Sequence, residues 1–280
     1  MVPLRTLQNG SSIPTIALGC YNLPAATTGE LVFQACHAGY RHFDTAVLYH
    51  NESEVGQGIS RWLAEGNHRK DIFYTSKLWN SQCGYKQATA AIDDCLAKVA
   101  TLEYIDLLLI HSPLCGPTKR LETWKAMEDA VIAGKVKSIG VSNYGIGHLE
   151  QLVNWNQLRI YPQVNQIEIS PWLMRTEIAD WCQAHDIVVE AYAPLTHGYK
   201  LTSPPQEVKS VMDKYGVGAA QVLIRWSLQK GHLPLPKTGR IERLAGNLDV
   251  FGFELTAAEM KQLDHPEAYE PTDWECTDAP

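Results

Sequence analysis

Eight short apolar runs, each followed by a segment with helical periodicity, divide almost the whole chain into repeating strand-then-helix units. The runs carry apolar residues at successive positions instead of alternating ones, which is typical of strands covered on both faces, as in a parallel sheet. Eight such units predict an α/β fold that closes into a (β/α)8 TIM barrel. The predicted strands are Ile16–Gly19, Tyr40–Phe43, Ile72–Ser76, Ile105–Ile110, Val136–Val141, Gln163–Ile167, Ile187–Tyr192 and Leu233–Leu235.

Residues outside the eight units predict two additions to the barrel. The dipeptide Asn9-Gly10 lies inside the segment Leu4–Ile13 and predicts an N-terminal β-hairpin. Residues His265–Pro280 lack periodicity and predict an irregular C-terminal tail, which either folds over the mouth of the barrel or is a disordered end. No linker, repeat or low-complexity segment divides the chain, so residues 1–280 are predicted to form a single domain.

The competing architecture is an open, doubly wound sheet. Such a sheet usually carries a G-x-G-x-x-G turn directly after its first strand. The nearest match in this chain is Gly56-x-Gly58, which lies inside a predicted helix and lacks the third glycine. The pattern therefore favours the closed barrel.

Composition excludes several classes of function. The formal net charge of −7 at pH 7 argues against a nucleic-acid surface as the main partner. No segment reaches the roughly 18–20 apolar residues of a membrane span, and the first ten residues contain no apolar run typical of a signal peptide. The seven cysteines are scattered without a C-x-x-C pair, and no His/Cys group has zinc spacing. We therefore expect reduced thiols, a cytoplasmic protein and no metal site.

Polar residues follow several predicted strands at the points where the strands end. In a TIM barrel these carboxyl ends meet at one rim, where active sites lie. The polar residues are Asp44, Tyr49, Lys77, His111, Ser142, Asn143, Gln166, Tyr192 and Lys237. Each one alone is more often a helix cap, a solvated charge or a core aromatic, but their shared position predicts one site.

Four of these residues suit the transfer of a proton to an oxygen. A tyrosine has a pKa near 10 and keeps its proton at neutral pH. We expect the ammonium of Lys77 to lower the pKa of Tyr49, while Asp44 keeps Lys77 charged. His111 is expected to hydrogen-bond the substrate oxygen or to share the proton. A general acid of this kind protonates an oxygen that is becoming an alkoxide, so it requires a hydride donor.

Seven segments, in order and at strand ends, carry a resemblance to the aldo-keto reductase superfamily over essentially the whole chain. They are Gly39–Ala46 with Tyr49, Thr75–Trp79, Asp106–His111, Gly140–Tyr144, Val164–Glu168, Ala191–Leu195 and Leu235–Thr238. The resemblance implies a catalytic tetrad of Asp44, Tyr49, Lys77 and His111, with Tyr49 as the proton donor. It also implies an NADPH/NADP⁺ cofactor.

The resemblance assigns the nicotinamide end of the cofactor to the middle of the chain. Ser142, Asn143 and Gln166 are implied to hydrogen-bond the carboxamide, and Tyr192 to stack on the ring, with Pro194 and Leu195 beside it. Hydride transfer requires a ring held close and in one orientation, which stacking and three amide contacts provide.

The far end of the cofactor is expected near the last strand. Lys237, Thr238, Arg240 and Arg243 place three cations and a hydroxyl around one predicted helix start near Ile241, an arrangement that suits a 2′-phosphate. A solvated basic helix end is the ordinary alternative. The resemblance implies that Lys237, Thr238 and Arg243 grip the 2′-phosphate of NADP and that Asn247 contacts the adenine.

The substrate pocket is implied by resemblance alone. Its walls are expected to include Tyr21, Leu48, Trp79 and Trp172, and Trp274 of the tail is a further candidate if the tail folds over the pocket. The leading hypothesis is an NADPH-dependent reductase of a small-molecule aldehyde or ketone, acting as a monomer.

Two alternatives remain open. One is a lyase of the aldolase type that forms a Schiff base through Lys77 or Lys237. The other is a non-catalytic cofactor-binding barrel. In all three readings, Glu190 shares strand parity with Tyr192 and, if it points into the barrel, requires a partner, which we expect to be a lysine or histidine of the rim.

Overall fold

The computed structural model describes residues 2–280 and has an alternating order of strands and helices. The strands are β1 (Leu4–Thr6), β2 (Ser12–Pro14), β3 (Leu18–Gly19), β4 (His42–Asp44), β5 (Phe73–Leu78), β6 (Ile105–Ile110), β7 (Val136–Ser142), β8 (Val164–Glu168), β9 (Val188–Tyr192) and β10 (Leu233–Pro234). The helices are α1 (Ala25–Ala38), α2 (Glu52–Leu63), α3 (Tyr85–Lys98), α4 (Pro117–Ile132), α5 (Ile146–Val153), α6 (Thr176–Ala184), α7 (Tyr199–Thr202), α8 (Gln206–Tyr215), α9 (Ala219–Gln229), α10 (Leu244–Leu248) and α11 (Ala257–Leu263).

The eight strands β3 to β10 form one parallel sheet in sequential order. The sheet closes on itself because the amides of Ala17 and Gly19 donate to the carbonyls of Pro234 and Pro236, both at 3.2 Å. A parallel bridge between Gly19 and Lys237 extends the closure. The (β/α)8 barrel predicted from the apolar runs is therefore confirmed, and the open doubly wound sheet is excluded.

The predicted N-terminal hairpin is confirmed and closes the bottom of the barrel. Strands β1 and β2 pair antiparallel around a turn in which Gly10 has φ of 83°, a conformation that glycine adopts without strain. Leu7 and Ile13 of this hairpin are buried against Phe73, Leu107 and other residues inside the barrel. This packing leaves the opposite, carboxyl-terminal rim as the open end.

A second and larger core lies between the barrel wall and the surrounding helices. The glycines Gly56 and Gly58 belong to this core. A Cβ at Gly58 would lie 2.5 Å from the carbonyl oxygen of Gly29, and one at Gly56 would lie 2.8 Å from a methyl of Val99. These glycines therefore permit close helix packing, which explains a partial G-x-G pattern that has no role in binding a phosphate.

The final part of the chain differs most from the predicted elements. The helix expected from Ile241 is a single 3-10 turn (Ile241–Arg243) followed by the five residues of α10. Helix α11 was not predicted, although Thr256 and Glu259 form a capping box at its start. Within residues 2–280, no helix is long and apolar enough to cross a membrane, and no cluster of His, Cys, Asp and Glu suits a metal ion.

The tail after α11 is irregular but is tied to the rim by polar contacts. The carboxylate of Glu168, at the end of β8, accepts hydrogen bonds from the amides of Thr272 and Asp273 at 2.8 and 3.2 Å. Arg175 pairs with Glu275 at 2.6 Å. Of the two possibilities for the tail, folding over the barrel mouth is therefore the one observed.

Candidate active site

A cavity of about 1290 Å³ opens at the carboxyl-terminal rim of the barrel. Its lining includes every residue predicted to bind the cofactor: Ser142, Asn143, Gln166, Tyr192, Pro194, Leu195, Lys237, Thr238, Arg240, Arg243 and Asn247. It also includes Asp44, Tyr49 and His111 of the predicted tetrad. The volume and mixed lining of this cavity suit a ligand with one planar end and one anionic end.

The predicted tetrad meets at the inner end of the cavity. The ammonium nitrogen of Lys77 donates to Asp44 Oδ1 at 2.6 Å, to the carbonyl of Thr45 at 3.0 Å and to the hydroxyl of Tyr49 at 3.4 Å. The ring of His111 lies edge-on to that of Tyr49, with centroids 5.6 Å apart. Three separate segments thus converge as the strand-end argument predicts.

Strand register explains why these side chains meet. Asp44 of β4 pairs with Thr75 of β5, and Thr75 and Lys77 point to the same face because side chains alternate along a strand. Both charged groups therefore face the barrel interior, where Lys77 is fully buried and Asp44 is 4% exposed. Tyr49 reaches them from the 3-10 turn that follows β4.

Electrostatics at Tyr49 differ from the expectation. Burial, with added contributions from the carboxylates of Asp44 and Asp273, holds the pKa of Tyr49 well above its usual value. The expected lowering of the pKa of Tyr49 by Lys77 is wrong for this arrangement, because burial and then the carboxylate of Asp44 act in the opposite direction. Tyr49 is consequently a fully protonated phenol at neutral pH, which is the form that a general acid requires.

His111 is a neutral imidazole. Burial, and secondarily the positive charge of Lys77, holds its pKa well below the usual value. A neutral ring has one N–H donor and one acceptor nitrogen. His111 can therefore donate a hydrogen bond to a substrate oxygen without carrying a charge of its own.

The partner of Glu190 is Gln166, not a lysine or histidine of the rim. The side-chain nitrogen of Gln166 donates to Glu190 Oε2 and to Asp44 Oδ2, both at 2.8 Å. Burial raises the pKa of Glu190 to about 8. The Nε2 atom of His42 lies 3.6 Å from this carboxyl, and burial lowers the pKa of His42 to about 3. The contact between Glu190 and His42 is therefore one between two neutral groups at neutral pH.

The residues predicted to hold the nicotinamide form a hydrogen-bonded group beside the tetrad. The hydroxyl of Ser142 donates to the carbonyl of Gln166 at 2.8 Å, and the amide of Asn143 donates to the carbonyl of His111 at 2.9 Å. The hydroxyl of Tyr192 donates to Asn143 Oδ1, also at 2.9 Å. This network fixes these side chains before any ligand binds.

The basic end of the cavity lies at the start of the segment after β10. Lys237, Arg240 and Arg243 are exposed there, whereas Thr238 and Asn247 are buried. The amide of Arg240 donates to the hydroxyl oxygen of Thr238 at 3.1 Å, which closes a tight turn. Because α10 is only five residues long, the three side-chain cations supply most of the positive potential at this end.

Aromatic side chains surround the opening next to the tetrad. Trp79 and Trp274 lie with ring centroids 5.5 Å apart, and Tyr21 contacts Tyr49 edge-on at 5.1 Å. Leu48, Trp79 and Tyr21 line the cavity as predicted for a substrate wall. The tail adds Trp274, which the sequence indicated only as a candidate.

Trp172 does not lie on the cavity wall predicted for it. Its ring stacks on that of His265 with centroids 5.5 Å apart, and the ammonium of Lys200 lies 4.8 Å from the ring centroid. Asp273 and His197 line the cavity without having been predicted. No local sequence pattern indicates these two residues, because Asp273 belongs to the tail and His197 to the loop after β9. In the structure their side chains lie 3.7 Å apart.

The sequence and the fold both match known proteins. The model of the Aldo/keto reductase family matches residues 15–267. The chain is 61% identical, over the full length of both chains, to an uncharacterized oxidoreductase of Saccharomyces cerevisiae. It is 38% identical to the glyoxal reductase of Bacillus subtilis, covering 92% of this chain and 90% of that protein.

A solved structure of a Bombyx mori aldo-keto reductase in complex with NADP superimposes with a TM-score of 0.87 at 35% identity, covering 94% of this chain and 92% of the other. Family model, full-length relatives and superimposed structure agree with one another. The chain belongs to the aldo/keto reductase family.

Proposed function

We propose that this protein reduces an aldehyde or a ketone to the alcohol with NADPH, and that Tyr49 is the general acid. The single observation that supports this most strongly is the contact of the Tyr49 hydroxyl with Lys77 at 3.4 Å, next to the ring of His111. Carbonyl reduction as a class follows from family membership; the proton donor, the cofactor form and the substrate are our proposal.

The residues present suit an NADP cofactor. The cavity that holds the tetrad also reaches three exposed cations at its other end, and Gln166, Asn143 and Tyr192 line the part between. When bound, a reduced nicotinamide supplies the hydride that the acid requires. Ser142, Asn143 and Gln166 would hold its carboxamide, and Lys237, Thr238 and Arg243 would hold its 2′-phosphate.

The chain itself provides the proton and the environment for its transfer. Tyr49 donates its hydroxyl proton to the carbonyl oxygen as negative charge develops there. Lys77 stabilises the phenolate that results, because its ammonium remains within hydrogen-bonding distance. His111 donates a hydrogen bond to the same oxygen and orients the substrate. Trp79 and Trp274 keep water from the site.

Replacing Tyr49 with Phe tests the assignment of the acid. Tyr49→Phe removes one hydroxyl and keeps the ring, so we expect turnover of a panel of aldehydes and ketones to fall by roughly 10²–10⁴-fold or more. NADPH binding, followed by quenching of tryptophan fluorescence, should be retained. Tyr85→Phe is the control, because it removes a hydroxyl from an exposed tyrosine that does not line the cavity and donates to Asp129, and it should keep turnover within a few-fold. Wild-type turnover in Tyr49→Phe would refute the role of Tyr49.

The Schiff-base alternative is disfavoured by the state of Lys77. An amine must lose its proton before it attacks a carbonyl, whereas Lys77 is fully buried and bound by Asp44 at 2.6 Å. Reduction with borohydride in the presence of substrate and absence of cofactor should therefore leave the mass of the protein unchanged. A stable adduct on Lys77 or Lys237 would favour the lyase.

A further inference from the structure

Gln166 and Glu190 occupy paired positions on neighbouring strands inside the barrel. Strands β8 and β9 place the two residues directly opposite each other, so that both side chains project from the same face of the sheet. Glu190 is fully buried, whereas Gln166 lines the cavity. Glu190 therefore influences a ligand in the cavity only through a neighbouring side chain.

The amide of Gln166 is held in one orientation by two carboxyl groups. Its nitrogen carries two N–H groups, and these go to Asp44 Oδ2 and Glu190 Oε2, both at 2.8 Å. The reverse orientation would place an amide oxygen against the carboxylate of Asp44 and would leave Asp44 Oδ2 without a donor from the amide. Asp44 thus determines which end of the amide faces the barrel interior, and Glu190 holds the same nitrogen at a second point.

The other end of the amide is left for the cavity. Within residues 2–280, the side chain of Gln166 makes hydrogen bonds through its nitrogen alone. The neighbouring donors go elsewhere in this structure, since Ser142 donates to the Gln166 carbonyl and Asn143 donates to the His111 carbonyl, and neither reaches Gln166 Oε1. The Oε1 atom of Gln166 is therefore a pre-oriented acceptor among the residues that face a nicotinamide.

We propose that Glu190 is a positioning residue that, together with Asp44, orients Gln166 so that its amide oxygen accepts a hydrogen bond from the carboxamide N–H of the nicotinamide. This inference rests on the proposed function, because it requires a nicotinamide cofactor in the cavity. Glu190 touches neither cofactor nor substrate in this arrangement. Its contribution is to hold the amide nitrogen of Gln166 at a second point, so that the amide oxygen, whose direction Asp44 determines, stays aimed at the cofactor.

The surroundings of Glu190 are consistent with a neutral acceptor. The Nε2 atom of His42 lies 3.6 Å from Glu190 Oε1 but 3.0 Å from the hydroxyl of Thr75, its closer partner. A protonated carboxyl keeps an oxygen that accepts a hydrogen bond. A glutamine at position 190 provides the same acceptor without a titrating group, whereas a methionine of similar length provides none.

The test compares two cofactors that differ only in the group that Gln166 would read. NADP⁺ carries a carboxamide, and the 3-acetylpyridine analogue replaces its NH₂ group by a methyl. Dissociation constants for both are measured by tryptophan fluorescence quenching, without substrate. The wild type should bind the analogue about five- to tenfold more weakly, the equivalent of one hydrogen bond. Glu190→Met loses one of the two contacts that hold the amide of Gln166 and should lower this ratio to about two, and Glu190→Gln should restore the wild-type ratio.

Each outcome decides a separate point. If wild type fails to bind NADP⁺, the proposed function fails with it. If wild type binds both cofactors equally, Gln166 does not read the carboxamide, and if Glu190→Met keeps the wild-type ratio, Glu190 does not position Gln166. Should Glu190→Met not fold, Glu190→Thr replaces it, because threonine suits a strand and is too short to reach Gln166. Glu128→Gln, a change at a buried carboxylate on α4 paired with Arg159, is the control and should leave the ratio unchanged.

Discussion

Charged residues lie at both ends of one cavity, and the two groups differ in burial. Asp44 and Lys77 at the inner end are 4% and 0% exposed and are bound to each other. Lys237 and Arg243 at the outer end are exposed, and no carboxylate within residues 2–280 pairs with either. The inner charges are therefore fixed by the fold, whereas the outer charges are available to bind an anion.

This difference has consequences for stability as well as for function. A buried ion pair is costly to form and still more costly to break, because removing one partner leaves an uncompensated charge in the interior. Exposed cations contribute little to folding, and their attraction for an anion weakens as salt increases. Substitutions at the inner end should thus affect stability and turnover together, and substitutions at the outer end should affect cofactor binding alone.

The largest effect is expected from Lys77→Met. The variant leaves Asp44 buried without its ammonium partner, so we expect a loss of about 3–5 kcal/mol in the free energy of unfolding. Turnover should fall by about three orders of magnitude, because the phenolate of Tyr49 loses its nearest positive charge. Urea denaturation and steady-state NADPH oxidation measure the two effects.

The matched control is Lys135→Met. Lys135 also forms a short ion pair, with Asp93 at 2.5 Å, but both side chains are about half exposed. Its loss should cost less than about 1 kcal/mol and leave turnover unchanged. Equal losses of stability in the two variants would show that burial is not what distinguishes the inner pair.

The second effect concerns pH and Glu190. Burial raises the pKa of this carboxyl to about 8, above its unfolded value of about 4.3. Between these values the unfolded chain releases the proton while the folded chain keeps it, so the wild type loses stability as pH rises from 5 to 8. Glu190→Gln has no titrating group at this position. Its free energy of unfolding should therefore rise by roughly 3 kcal/mol relative to that of the wild type between pH 5 and pH 8. Urea denaturation of both proteins at pH 5 and pH 8 measures this change. If variant and wild type differ in free energy of unfolding by the same amount at both pH values, Glu190 is not a neutral buried carboxyl.

The third effect belongs to the outer end. Arg243→Met should weaken NADPH binding by about tenfold and leave NADH binding nearly unchanged, because only NADPH carries the 2′-phosphate. The difference between wild type and variant should shrink at high salt. Fluorescence titrations at low and high ionic strength test this. Arg61→Met is the control, because Arg61 is half exposed, pairs with Glu30 and does not line the cavity. Equal weakening of NADH and NADPH binding would place the phosphate elsewhere.

Sequence reasoning succeeded where local pattern and fold geometry act together. The predicted bounds of β6, Ile105–Ile110, are those observed. A strand buried on both faces is apolar at nearly every position, so the ends of the apolar run mark the ends of the strand. The tetrad followed from the same principle, since the carboxyl ends of parallel strands meet at one rim. These features depend on residues that are close in sequence or on a topology that eight repeats already imply.

The remaining features depend on contacts that no local pattern encodes. The partner of Glu190 is determined by the pairing of β8 with β9, which places Gln166 opposite it. The tail position is determined by Glu168, which accepts from the amide of Thr272, 104 residues later in the chain. The pKa of Tyr49 depends first on its burial and then on the nearby carboxylate of Asp44, and both result from packing that the local sequence does not contain.

The smallest effect separates two tryptophans that the sequence treats alike. Trp274 lies against Trp79 at the cavity mouth, whereas Trp172 is stacked on His265 away from it. Trp274→Leu should raise the KM for aromatic aldehydes about three- to tenfold, through lost aromatic contact of about 1 kcal/mol, with little change in kcat. Trp172→Leu should leave that KM unchanged while lowering the free energy of unfolding by about 3 kcal/mol, because it removes a buried ring from the core. If KM instead responds to Trp172 and not to Trp274, the substrate enters on the side of α7, and the aromatic pair of Trp79 and Trp274 only anchors the tail.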